Sequence, residues 1–260
     1  MVNVNSTLII ITVWYNEEIN LPKLFDSLKY IKSKIKIRHI YVDQSSTDKS
    51  VEIAKRNWCE IFIHPNKWYA DPDKKWAVEE LCKDDDWILI MDCDEELSEN
   101  LSNEIINTIE DKQYDVLNIY VKSIILGGFW GRAYQPRLFI KKHMNITDEI
   151  HNYLKIKTKN IWYLKNDIIN DDLKYRGREV DVFVEKLNRY AEKEIVFLEH
   201  MSKLKIVLNL FWKPLQWFFG FGIIHKQFFR WIKWIIICSL VSQYQFWIYS
   251  KLYEKKFINK

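Results

Sequence analysis

The sequence predicts an α/β fold: a mostly parallel central sheet with flanking helices, followed by a helical C-terminal extension rich in aromatic and basic residues. Three observations predict it. Short β-branched apolar runs alternate with segments of helical periodicity through the first hundred residues. The runs at 7–13, 37–42 and 87–91 each empty into polar, acid-bearing segments, and open α/β sheets bind ligands at such strand ends. The last sixty residues are of different material: ten Lys/Arg against one acid (+9), with 16 of the 40 aromatics, whereas residues 1–200 hold 29 basic and 34 acidic residues (−5).

The elements follow in order. The run TLIIITV at 7–13 is β-branched and apolar throughout, as a strand buried on both faces requires. From Asn16-Glu17-Glu18 to about Lys34 the chain reads as a helix, because Leu21, Leu24, Phe25, Leu28 and Ile31 recur at helical spacing. Residues 37–42 form a second strand ending at Asp43-Gln44-Ser45-Ser46-Thr47-Asp48, and 50–57 the next helix. A short strand at 60–64, a helix at 76–82 and a strand at 87–91 continue the alternation. Beyond it, 115–125 alternates as a strand and Gly127-Gly128-Phe129-Trp130-Gly131 reads as a flexible turn. Residues 137–141 and 153–156 read as strands, and 180–191 as a helix with Lys186, Arg189 and Tyr190 on one face.

At 260 residues the chain suits one or two domains, and the change of composition divides it into 1–200 and 201–260. The first apolar run is too short for a secretory leader and no charged segment precedes it, so none is expected. The four cysteines show no metal-type or disulfide-type spacing, which fits a reducing compartment. In the tail, the longest uncharged run, 234–250, is 17 residues and includes Gln243 and Gln245, a poor membrane span. Aromatics interleaved with cations suit the headgroup interface of an anionic membrane. A spanning hairpin, a helical pair packed on the first domain and an oligomer interface are the alternatives. Aliphatic runs such as 235–237 speak against nucleic acid.

The strand at 87–91 is followed by four carboxylates within five positions: Asp92, Asp94, Glu95 and Glu96. Like charges so crowded are best tolerated where a hard divalent cation or a cationic partner offsets them. If the strand continues, Asp92 and Asp94 share a side and Cys93 faces the other. The alternative is a loop and the solvated first turn of a following helix.

WYNEEINL (14–21), VDQSSTDKS (42–50), DPDKKWA (71–77), MDCDEE (91–96), RLFIKK (137–142), EIHNYL (149–154) and KLNRYAEKE (186–194) together resemble the family 2 glycosyltransferases with a Rossmann-like GT-A fold, more closely the WaaE-like branch of lipopolysaccharide-core β-glucosyltransferases. The resemblance implies an inverting enzyme. It would move a sugar, glucose first, from a UDP-sugar to a hydroxyl of a membrane-associated glycolipid such as lipopolysaccharide core. It also implies Mg²⁺ or Mn²⁺, and a cytoplasmic location peripheral to the inner face of the plasma membrane.

By this resemblance Asp43 accepts the uracil N3–H, with a cap role as the rival reading, while Asp48 suits a turn or the start of the following helix. Tyr15 stacks near the base and Glu17 lies near the ribose or base. Asp92 and Asp94 sit at the metal and ribose, with Asp94 the direct ligand. Lys74 either reaches the diphosphate or is a solvated loop lysine, and Arg137 either positions substrate or is an ordinary surface or structural arginine. Lys186, Arg189 and Tyr190 either serve phosphate or acceptor, or form a solvated helix face. The usual His-Glu pair reads His151-Asn152 here, so Glu149 is the nearest carboxylate to act as base, with Asp148 next. His151 is then a phosphate or metal contact, or a structural histidine. Two other functions fit the motifs: a polyprenyl-phosphate glycosyltransferase, whose acceptor needs no strong base, and a non-catalytic membrane-peripheral adaptor, against which the intact acids at 43, 92 and 94 argue.

Overall fold

The structure is a computed structural model and describes residues 7–67, 69–125, 128–147, 154–173, 177–224 and 231–258. It divides into two compact units: the described residues of Met1–Ile124 with Gly131–Lys174, and those of Ile125–Trp130 with Tyr175–Lys260.

The first unit is built on an eight-stranded sheet. In chain order its elements are β1 (Leu8–Trp14), α1 (Leu21–Lys34), β2 (Ile37–Asp43), α2 (Ser50–Arg56), β3 (Glu60–Ile63), α3 (Asp71–Leu81), β4 (Trp87–Ile90), β5 (Glu95–Glu96), α4 (Glu99–Asp111), β6 (Val116–Ile125), β7 (Gly128–Ile140), β8 (Met144–Ile146), β9 (Leu154–Ile156) and β10 (Ile161–Asn170). The sheet order is β3-β2-β1-β4-β7-β6-β10-β5, with β8 and β9 as a separate antiparallel pair. Pairs β1–β2, β1–β4, β2–β3 and β6–β10 are parallel. Pairs β4–β7 and β5–β10 are antiparallel. The parallel half carries apolar side chains on both faces because helices cover both. Leu8 and Ile10 pack with Leu24, Leu28 and Ile31 of α1 on one side. Ile9, Ile11 and Val13 pack with Ala77 and Val78 of α3 on the other.

Several boundaries differ from the sequence reading, each for a local reason. Helix α1 starts at Leu21, not Asn16: Asn16 has φ 54°, and Pro22 holds the first-turn position that suits a residue with no N–H. Pro72 does the same for α3, which therefore begins at Asp71, five residues before the apolar pattern does. The glycine-rich segment expected as a turn belongs in part to the 13-residue β7. Glu95 and Glu96 are not a first helical turn. They form β5, paired with Asn170 and Ile169, and α4 starts later behind Ser98, whose Oγ accepts from Leu101 N at 3.1 Å. Strand β10 had no clear signature because its register shifts between Tyr163 and Asp167, which breaks alternation. Glu104 of α4 holds that irregularity, accepting from the backbone N–H groups of Lys165 (2.7 Å) and Asn166 (3.0 Å).

The second unit contains α5 (Glu179–Phe197), α6 (Lys203–Ile224) and α7 (Trp231–Phe257), so α5 groups with the two tail helices. Leu187 and Ala191 pack on Tyr244 and Ile248, and Met201 and Ile206 on Tyr249 and Leu252. Lys251 pairs with Glu192 at 2.9 Å, and Lys255 with Glu199. Among the described residues no helix is long and apolar enough to cross a membrane.

One core group ties stability to pH. His39 on β2 is buried, with Nε2 3.0 Å from Thr12 Oγ1 and its ring edge against Phe25. Burial, helped by the nearby Lys32 ammonium, pushes the imidazole down from 6.5 to about 3. The unfolded chain therefore takes up a proton near pH 6.5 that the folded chain refuses until about pH 3. The stability involved is fully present above pH 6.5 and is lost as pH falls through that window. Between pH 7 and pH 5, the wild type should lose about 2 kcal/mol more unfolding free energy than His39→Gln. Urea titrations at the two pH values measure the difference; equal losses would show that His39 is not the group responsible.

Candidate functional site

The C-terminal ends of β1, β2 and β4 lie side by side, and the residues following them form the site. The loops after β1 and β2 are knitted together by side chains. Asn16 N donates to Ser46 Oγ at 2.8 Å, and Asn16 Oδ1 accepts from Thr47 N at 2.8 Å. Glu17 N donates to Ser50 Oγ at 2.7 Å, and Glu18 N to Asp48 Oδ2 at 3.1 Å. Asp48 Oδ1 accepts from Ser50 N at 2.9 Å, the helix-start role read for it from sequence. Left-handed backbone at Asn16 and Ser45 makes these short loops possible.

Asp43, the last residue of β2, is almost completely buried. Its Oδ2 accepts from Ser46 N at 2.7 Å, so the turn-capping role is real. Its Oδ1 is buried with no hydrogen-bond partner. A buried, unpaired carboxylate oxygen costs on the order of 1–3 kcal/mol, a penalty that a donor arriving with a ligand would remove. Glu17 is also buried, with Oε2 accepting from Asn20 Nδ2 at 2.7 Å, and Tyr15 is half-buried at the end of β1.

The acid cluster after β4 is a turn, not a continued strand: β4 ends at Ile90 and Glu95 N bonds back to Asp92 O at 3.1 Å. Cys93 does point into the core. Asp92 is gripped by two cations, Oδ1 by Lys74 Nζ at 2.6 Å and Oδ2 by Arg137 Nη2 at 3.2 Å. The same Arg137 nitrogen reaches Glu95 Oε1 at 2.6 Å, while Glu95 Oε2 accepts from Asp92 N at 2.8 Å. Lys74 and Arg137 are each about 5% exposed, which removes the solvated-lysine and surface-arginine readings. Burial opposes charge on Asp92, but Lys74 and Arg137 hold its carboxyl well below the usual carboxylate range. Burial pushes Glu95 up to about 8; Arg137 opposes this, and Asp92 and Asp94 add to it. Asp94 is half-buried, and its carbonyl accepts from Asp171 N at 2.8 Å.

The structure thus brings Lys74, Asp92 and Arg137 together, adds Glu95, and sets Asp43 at the neighbouring strand end. Glu95 was undervalued in the sequence because an acid after a strand looks solvated. Asp73 was missed altogether. It is fully buried in the first turn of α3 and accepts from Gln44 Nε2 (2.7 Å), His64 Nδ1 (2.9 Å) and Lys67 Nζ (2.9 Å). It pins the residue before Lys74 to the ends of β2 and β3. The signal available was Pro72, which marks a helix start and so a place for Asp73 in the first turn.

Among the described residues no three His, Cys, Asp or Glu side chains converge as a metal cage. Mg²⁺ needs no such cage, since it is commonly held by one or two carboxylates with substrate phosphates and water. Such a cation takes hard oxygen ligands, and both oxygens of Asp92 face cationic side chains. Glu149, Asp148 and His151 lie outside the described residues. Lys186, Arg189 and Tyr190 lie on α5 of the second unit, with the Lys186 ammonium 5.9 Å from the Tyr190 ring centre.

Residues 9–173 match the model of the family described as glycosyl transferase family 2. The chain is 27% identical over 226 residues to an uncharacterized glycosyltransferase of Rickettsia typhi, covering 82% of this chain and 75% of that protein. A second, from Rickettsia prowazekii, is 28% identical over 224 residues, covering 78% and 73%. The crystal structure of S. aureus TarS 1-349 in complex with UDP aligns with a TM-score of 0.51 over 98% of this chain and 92% of that chain, at 14% identity, a likeness of fold.

The buried cluster should behave as a unit. At pH 9, where Glu95 is mostly ionised, Arg137→Met leaves it without its cation and should lower unfolding free energy by about 3–5 kcal/mol. Adding Glu95→Gln should restore at least half of that loss in urea denaturation. A double variant no more stable than the single one would mean that the ion pair is not what Arg137 supplies.

Proposed function

The chain belongs to glycosyl transferase family 2, and we propose that it transfers a sugar from a UDP-sugar, glucose first, to a hydroxyl of a membrane-borne glycolipid such as lipopolysaccharide core, with inversion. The observation that carries the donor assignment is Asp43 Oδ1, a buried acceptor with no partner at the end of β2. Uracil N3–H is a donor of the right kind, and a carboxylate accepts it with a charge-assisted bond. Tyr15 and Glu17, at the adjacent strand end, then lie toward the base and ribose. The TarS structure that shares the fold was solved with UDP, which supports the same ligand class.

In this reading the diphosphate reaches Lys74 and Arg137, which stabilise the charge that develops on its oxygens as the sugar leaves. Lys74 and Arg137 are already desolvated and held, so little reorganisation accompanies that role. Asp94 would hold Mg²⁺ or Mn²⁺ against the diphosphate, and His151 is a further contact for metal or phosphate. The bound ion would supply Lewis-acid neutralisation of the leaving group. Glu149 is assigned the acceptor hydroxyl proton, since general-base removal makes that oxygen a competent nucleophile. The protein would work at the cytoplasmic face of the plasma membrane, where a nucleotide-sugar and a lipid-linked acceptor meet.

A panel of UDP-sugars incubated with purified protein and Mn²⁺, read as UDP release, tests this. Asp43→Ala should raise KM for the donor by about 10- to 100-fold, the worth of a charge-assisted hydrogen bond. Asp94→Asn should lower kcat by about 100-fold or more, as removal of a group that stabilises the leaving charge does. Unchanged KM in Asp43→Ala would remove the base-recognition role. No turnover of any UDP-sugar by the wild type would remove the donor assignment.

A further inference from the structure

We propose that the outward face of α6 docks the protein flat on an anionic lipid bilayer. This deepens the membrane-facing part of the proposed function and rests on it, while using none of the donor-site residues. Leu204, Leu208, Phe211, Trp212, Leu215 and Phe219 are all more than half exposed, with Leu204 at 69% and Phe211 at 67%. At 100° per residue they fall within an arc of about 100°, the width of an amphipathic stripe. From Leu204 to Phe219 the stripe runs roughly 22 Å along the helix. The opposite side of α6 already packs, with Ile206 fully buried against Tyr249 and Leu252 of α7. So large an exposed aliphatic and aromatic row is uncommon on a monomer's surface and marks a docking site.

Charge selects the occupant. α6 carries Lys203, Lys205 and Lys213 and no acidic residue. Lys205 sits at the edge of the stripe, where a snorkelling side chain reaches headgroups while the helix face enters the acyl boundary. A second copy of this chain would present the same positive charge, with no acidic residue on α6 to pair with it. An anionic bilayer complements both the apolar row and the acid-free, lysine-bearing helix that carries it. The geometry is that of a helix lying in the interface, since no described helix is long and apolar enough to cross.

Flotation of the full chain with vesicles tests this. The wild type should float with phosphatidylcholine:phosphatidylglycerol 3:1 vesicles in 50 mM salt and bind pure phosphatidylcholine at least tenfold more weakly. Tryptophan emission should shift to the blue on binding, and by less in Trp212→Phe. Leu208→Glu/Phe211→Glu/Leu215→Glu, all at exposed positions, should lower partition at least tenfold with helix content by circular dichroism unchanged. The milder Lys203→Gln/Lys205→Gln/Lys213→Gln should lose most of the preference for the anionic vesicles. UDP release without vesicles is measured alongside, so failure of docking and failure of the donor assignment are separate results. The proposal is overturned if the wild type stays unbound with both vesicle types, or if the triple glutamate variant floats as well as the wild type. It is also overturned if the stripe instead holds together a dimer in sedimentation equilibrium that the glutamates dissociate.

Discussion

Lys74, Arg137 and Glu95, all nearly fully buried, meet the part-exposed carboxylate of Asp92 at the end of β4. Removing such charges from water costs several kcal/mol per ion, and only good mutual geometry offsets it. Much of the first unit serves that geometry. Arg137 arrives because β7 inserts antiparallel beside β4, in register at Leu138 and Leu89. Lys74 arrives because α3 starts at Asp71, and Asp73 ties that first turn to Gln44, His64 and Lys67. The backbone of Glu95 is tied to β10 through the two-residue β5, and its side chain to Arg137 and Asp92 N.

The two halves of the sheet therefore contribute different things. The parallel half, β1 to β4, places the loops that bear Asp43, Glu17 and Asp92 at one edge, as doubly wound sheets do. The mixed half brings a cation from outside that pattern. Between them, the hydrogen bonds joining Asn16, Glu17 and Glu18 to Ser46, Thr47, Asp48 and Ser50 make the first two loops a single rigid rim. A rim so connected keeps Asp43 Oδ1 buried and facing one way, and that is what makes an unpaired acceptor there informative.

The parts legible in the sequence are those governed by local period and by short motifs. Strands β1, β2 and β4 announce themselves as apolar runs, and the acids at 43, 92 and 94 stand out at their ends. The start of α3 at Asp71 does not show in the apolar periodicity, which begins only where that helix touches the core; Pro72 is its sole local mark. Strand β10 was hidden by its register shift, and β5 because two glutamates carry no strand signal at all. The burial of Glu95, Asp73, Lys74 and Arg137 was illegible for a general reason. Charged side chains enter the interior only when partners distant in sequence come with them, here Arg137 for Glu95 across 42 positions and Lys74 for Asp92 across 18.

On the proposed function, the contacts of Asp92 have a further physical meaning. Without Asp92, the buried Lys74 and Arg137 would repel each other and swing toward water. Asp92 holds both near 3 Å and keeps its own carboxyl ionised in doing so. A diphosphate entering the same pocket competes for those cations with more charge than a carboxylate has. The exchange replaces one set of charge-assisted hydrogen bonds by another, with no new desolvation of Lys74 or Arg137. The price of burying the cations is thus met during folding rather than at the moment of reaction, which is the condition for electrostatic stabilisation to act on a leaving group.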